Sequence, residues 1–89
     1  MSYSVLLHPR VAKDLNKLES LLRDRIKSAL RNLQESPSDK GEKMNPAEYW
    51  KIRIGDYRAI YQIDDKAKRV TVLFVGHRSK VYDDFRRML

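Results

Sequence analysis

Near the start of the chain, Tyr3, Val5 and Leu7 fall on one side of an extended segment, the period-two pattern of a strand with one buried face. Pro9 ends that pattern. From Arg10 the apolar spacing lengthens: Val11, Leu15 and Leu18 recur at intervals of four and three, which predicts an amphipathic helix with proline in its first turn. Leu22, Ile26, Ala29, Leu30 and Leu33 make a second, longer stripe, and the SPSDKG stretch at residues 36–41 breaks it. The period then returns to two. In residues 49–54, Trp50, Ile52 and Ile54 share one face while Tyr49, Lys51 and Arg53 share the other. Gly55 and Asp56 predict a tight turn, residues 57–63 a returning strand, DDKAK at 64–68 a second turn, and RVTVLFV at 69–75 a β-branched last strand. Val81, Phe85 and Met88 repeat at helical spacing toward the end.

These elements predict an α+β fold in the order β-α-α-β-β-β-α. An antiparallel β-sheet carries the N-terminal helical hairpin on one face, and a short C-terminal helix follows. A helical hairpin crosses the sheet an even number of times, so each strand is expected to enter opposite to the last. Trp50, Tyr57, Tyr61 and Phe74 are assigned to the core, and the face bearing Lys51 and Arg53 is left exposed or used for binding. Residues 1–89 are read as one domain, with no linker, repeat or low-complexity segment.

Charge changes this picture more than composition does. The 19 Lys and Arg against 12 Asp and Glu give a net +7 and a pI near 9.9, so a polyanionic partner is expected. The excess is no tail: residues 1–45 hold nine basic and six acidic side chains, and residues 46–89 hold ten and six. There is no cysteine, which excludes disulfides and thiolate metal sites. No apolar run reaches membrane-spanning length or the form of a secretory signal, so a cytoplasmic location with no membrane partner is expected.

The chemistry on offer is cationic. Lys51 and Arg53 read as the solvated outer face of an antiparallel strand when taken alone. Arg58 just across the turn, with Arg78, Lys80 and Tyr82 after the last strand, makes them part of one patch able to hold phosphate and spread negative charge. His77, at the turn that Gly76 opens, is either a proton carrier or a surface histidine. Tyr49 and Tyr82 could each stack on a base. His8 has only a structural reading, and two isolated histidines give no metal site. The Asp64-Asp65 and Asp83-Asp84 pairs fall at a turn and a helix start, where aspartate caps, so a carboxylate-held two-metal nuclease is rejected.

WKIRIGDYRAIYQI followed by VLFVGHRSKVY, in this order of elements and over essentially the whole chain, resembles the RelE branch of the RelE/ParE toxin superfamily. The resemblance implies the toxin of a type II toxin-antitoxin system. It would be an endoribonuclease that cuts messenger RNA in the ribosomal A site, needs no metal or other cofactor, and is silenced by a cognate antitoxin. By resemblance, the 2′-hydroxyl attacks the adjacent phosphate. Lys51 and Arg53 orient and activate it, Arg58 stabilises the phosphorane, Arg78 sits near the leaving oxygen, and Tyr82 contacts the substrate. Many relatives carry lysine where Arg53 stands; arginine stays protonated in proteins, so Lys51 is the better base candidate and His77 a substitute for either proton role. Tyr49 and Lys80 are expected to contact RNA. The alternatives are a ParE-like inhibitor of DNA gyrase, or a module that binds nucleic acid without cutting it.

Overall fold

The computed structural model describes residues 2–89. The chain runs β1 (Ser4–Leu7), α1 (Pro9–Asn16), α2 (Ser20–Arg31), a single 3-10 turn at Asn32–Gln34, α3 (Pro37–Lys40), β2 (Glu42–Lys43), β3 (Trp50–Ile54), β4 (Tyr57–Asp64), β5 (Arg69–His77) and α4 (Val81–Met88). Local chemistry sets the helix starts. His8 caps α1, its Nδ1 accepting from the Arg10 amide at 3.1 Å, and Pro9 occupies the first turn, where no amide is needed. Glu19 caps α2, its carboxylate accepting from the amides of Leu21 and Leu22 at 2.8 and 3.3 Å. Asp83 and Asp84 do not cap α4. They pair instead with Arg86 and Arg87 along the same helix.

One sheet of five strands forms, in the order β1-β5-β4-β3-β2. The expected α+β class and the succession of elements stand, with one difference in pairing: β3, β4 and β5 are antiparallel, but β1 adds alongside β5 in parallel. The short β2, which the hydrophobic pattern does not reveal, accounts for this. It pairs antiparallel with β3, so every strand does reverse the one before it, β1 through β5. Four reversals separate β1 from β5, and strands an even number of reversals apart run the same way when they meet.

The helical hairpin covers one face. Val11, Leu15, Ile26, Leu30 and Leu33 pack on Ile54, Ala59, Tyr61, Val70, Val72 and Val75. On the other face, α4 lays Val81 and Phe85 over Tyr49, Ile60 and Phe74, so this side is not left bare. A β-bulge divides the two sets. Ile60 faces Phe74 while Tyr61 faces Val72, which leaves Leu73 as an extra residue in β5. Before the bulge Val70 and Val72 point toward the helical hairpin. Beyond it Val75 does so, and Phe74 and Gly76 turn to the α4 side. Phe74 is therefore core, as expected, but of the second cluster.

Tyr61 ties the sheet to α3. Its ring is fully buried, its hydroxyl donates to the Pro37 carbonyl at 2.7 Å, and a side chain at Gly41 would collide with that hydroxyl. Burial pushes the Tyr61 phenol up to about 12. Since the folded state holds this proton more tightly than the unfolded chain does, the associated stability is complete below pH ~10 and is lost as pH rises through 12. Tyr61→Phe should cost about 1–3 kcal/mol near neutrality, because the Pro37 carbonyl loses its donor. The gap between the two proteins should narrow between pH 10 and 12, which urea unfolding across that range will show.

Candidate functional site

The β3–β4 hairpin sets the site. In an antiparallel pair, residues directly opposite share a face. Arg53 lies opposite Arg58 and Lys51 opposite Ile60, so all three cations stand on the side away from the helical hairpin. α4 brings Tyr82 to the same side, where Lys51 Nζ sits 5.8 Å from the centre of its ring. Gly55 takes φ +62°, which a residue with a side chain adopts only with strain, and this lets the chain reverse within two residues.

Arg58 departs from an ordinary surface arginine. It is only 9% exposed, and its Nη1 donates to the carbonyls of Gly55 at 2.9 Å and Tyr57 at 2.8 Å. Those bonds orient the guanidinium without neutralising it, since a buried charge is normally paired. The ion pairs among the described residues are those of Asp83 with Arg86 and Asp84 with Arg87, so Lys51, Arg53, Arg58, Arg78 and Lys80 all lack a carboxylate partner. No buried side-chain nitrogen or oxygen among the described residues is left unbonded, so the remaining Arg58 donors reach the surface. The result is a fixed, partly desolvated cation with free N–H groups, beside the exposed Arg53.

The loop after β5 closes the end of the site. The Arg78 amide donates to the Asp56 carbonyl at 2.9 Å and the Lys80 amide to the His77 carbonyl at 3.0 Å. Arg78 and Lys80 are thereby held at the hairpin tip with exposed side chains. His77 does not join them. It pairs across strands with Tyr57, on the face opposite Arg58, and its ring meets the Tyr57 ring edge-on at 5.6 Å. Its Nδ1 contacts Ser79 Oγ at 2.8 Å and accepts from the Ser79 amide at 3.2 Å, so the imidazole serves the turn. Tyr49 shares the basic side but is buried there, with Phe85 edge-on at 4.9 Å, which leaves little of its surface for the base stacking expected of it.

Concavity marks other places. A cleft of about 660 Å³ lies toward the far end of β4 around Trp50, Gln62, Asp64 and Arg69, and one of about 340 Å³ lies along Lys51, Arg53, Asp39 and Glu42. For a polyanion the unpaired cations are the better guide, because a phosphate chain binds through charge on open surface. Among the described residues no three His, Cys, Asp or Glu side chains converge as a metal site, and no helix is long and apolar enough to cross a membrane. What sequence reading missed is the burial of Arg58, the covering role of α4, and a further cation, Arg25 of α2, which lies against Gly55. Only the glycine in the hairpin hints at that approach.

Residues 5–82 match the family model of the ParE toxin of the type II toxin-antitoxin system parDE. The chain is 35% identical over 89 residues to the mRNA interferase toxin RelE of Escherichia coli, covering 94% of each. It is 32% identical over 85 residues to Toxin RelG of Mycobacterium tuberculosis, covering 92% of this chain and 98% of that one. Among solved structures, the toxin-antitoxin complex RelBE of M. tuberculosis superposes with a TM-score of 0.80 at 28% identity, over 88% of this chain and all of that one. The isolated E. coli RelE toxin gives 0.71 at 32% identity, over 99% and 100%.

Because Arg53 is exposed and Lys51 half-buried, both without ion pairs, replacing either with alanine should change stability by no more than about 1 kcal/mol. Arg58→Ala should cost about 1–2 kcal/mol, since the Gly55 and Tyr57 carbonyls lose their donor. Urea denaturation of the three variants measures both.

Proposed function

Since this chain belongs to the RelE/ParE family of type II toxins, we propose that it is an mRNA interferase whose basic sheet face holds the phosphate to be cut. The observation that carries this reading is Arg58: buried, oriented by two carbonyls of its own turn, and lacking a counter-ion beside Arg53. Donors fixed before the substrate arrives stabilise developing negative charge without a reorganisation cost, which is what a five-coordinate phosphorane requires.

In this reading the RNA 2′-oxygen attacks phosphorus, its proton leaves by way of Lys51, and the bond to the 5′-oxygen breaks. Arg53 and Arg58 hold the equatorial oxygens. Arg78 stabilises the departing 5′-oxygen, which takes a proton from solvent, and Tyr82 contacts the substrate from α4. The products are a 2′,3′-cyclic phosphate and a 5′-hydroxyl. With His77 directed to the opposite face, the cluster supplies charge and donors more readily than acid and base. Ribosomal positioning of the message in the A site would offset that deficit, because ordering the reactants can contribute about 7–11 kcal/mol. Lys80, exposed at the hairpin tip, contacts the RNA backbone.

Relatives of this fold have been solved as RelBE toxin-antitoxin complexes, and a cognate antitoxin is the protein partner in this reading. The net charge of +7 favours an acidic or amphipathic segment that covers the unpaired cations.

Purified protein should cut messenger RNA positioned on ribosomes, leaving cyclic phosphate ends, and should cut naked RNA poorly in a parallel arm that contains EDTA. Arg53→Ala and Arg58→Ala should each slow cleavage about 10²–10³-fold, the loss expected for removing one preorganised donor. Products ending in a 3′-hydroxyl would overturn the mechanism. Inhibition of DNA gyrase without cleavage would overturn the activity in favour of a ParE-like toxin.

A further inference from the structure

Arg25 has no part in the chemistry above. It lies in α2, in the layer of the helical hairpin, yet its side chain reaches the β3–β4 turn. A Cβ placed on Gly55 would meet Arg25 Nη1 at 3.3 Å, Nη2 at 3.4 Å and Cζ at 3.5 Å. The Nη end of the guanidinium therefore lies beside the open side of the glycine, on an exposed side chain, and its N–H groups remain available to a ligand.

The same glycine is engaged from its carbonyl by Arg58 Nη1 at 2.9 Å. Two guanidinium groups therefore meet one residue, and neither has an ion-pair partner among the described residues. Arg25 has none on its own helix, where the positions three and four residues away are Leu21, Leu22, Ser28 and Ala29. Asp56 is the one acid in the turn; its carboxylate is in no ion pair, and its backbone carbonyl is taken by the Arg78 amide. Cations gathered about one turn without a counter-ion favour an anion whose charge repeats along a chain.

We infer that Arg25 binds a backbone phosphate of the substrate RNA next to the one that is cut, so that the strand passes round the tip of the β3–β4 hairpin. The inference rests on the RNA-cleaving reading and adds to it a binding residue from the helical layer. Arg25 supplies affinity for flanking nucleotides and takes no part in bond breaking. A polynucleotide suits the arrangement because its charge recurs along one chain, continuing the series Arg53, Arg58 and Arg25 about a single turn.

Fluorescence anisotropy with 2′-O-methyl oligonucleotides, which cannot be cleaved, tests this on the full chain. Arg25→Ala should weaken binding of a hexanucleotide about three- to tenfold and lower the slope of log affinity against log salt by about 0.7, the value for one phosphate of a single strand. A dinucleotide should bind both proteins alike, Arg25→Lys should keep the salt slope, and the melting temperature should not move. Unchanged hexanucleotide affinity, an equal loss for both lengths, or a fall in melting temperature would each overturn the inference. So would an unchanged oligonucleotide affinity joined to weaker ribosome binding, which would place Arg25 on ribosomal RNA, or the same Arg25-dependent slope with polyglutamate. Lys51→Ala and Arg53→Ala separate the two levels. If they weaken the hexanucleotide while Arg25→Ala does not, only the inference fails; if none of the three does, the RNA-binding reading fails with it.

Discussion

The two carbonyls that hold Arg58 organise this protein's basic face. A guanidinium at 9% exposure with no carboxylate would normally swing into water, but here the β3–β4 turn bends its own backbone around it through Gly55 and Tyr57. That bend requires the positive φ of Gly55. Once the turn is formed, its other surfaces become attachment points: Asp56 accepts the Arg78 amide, and the bare Cα of Gly55 admits the Arg25 guanidinium. Arg58, Arg78 and Arg25, from three different parts of the chain, are thus located by a two-residue turn.

The bulge at Leu73 performs the complementary task on the neighbouring strand. A strand of strict alternation would keep Phe74 with Val70 and Val72 under the helical hairpin. The extra residue turns Phe74 over, gives Phe85 of α4 an aromatic partner at 6.2 Å, and so anchors the helix that carries Tyr82 toward Lys51. Gly76 follows on the same side and lies close to Val81, where a Cβ would come within 3.3 Å of the valine Cβ as α4 begins. One inserted residue thereby converts a two-layer fold into one with a covered second face, while Lys51, Arg53 and Arg58 stay at the margin of that cover.

Such a site costs stability and gains readiness. Unpaired cations gathered around one turn repel one another and contribute nothing like an ion-pair network, so the fold rests on two apolar clusters and on buried hydrogen bonds such as that of Tyr61 to Pro37. Asp83 and Asp84 pair with α4 arginines, Glu19 caps a helix and Asp65 accepts from the Tyr3 hydroxyl, while Asp39, Glu42 and Asp56, nearer the patch, form no ion pair with its cations. The charge on the basic face is left for an external anion.

The sequence by itself determined the periods, and through them the helical hairpin, the three long strands, the C-terminal helix and the common face of Lys51, Arg53 and Arg58. These follow from alternation and helical spacing, which are local. The tertiary structure decided what depends on partners distant in the chain. The parallel place of β1 beside β5 hangs on a two-residue strand too short to show a period. The burial of Tyr49 depends on Phe85 arriving from α4, and the turning of His77 toward Tyr57 on a register that the bulge shifts. Arg25 and Arg58 are separated by thirty-three positions in the chain, and no spacing rule relates them; they meet because a glycine without a side chain leaves room for one guanidinium on its Cα and offers its carbonyl to the other.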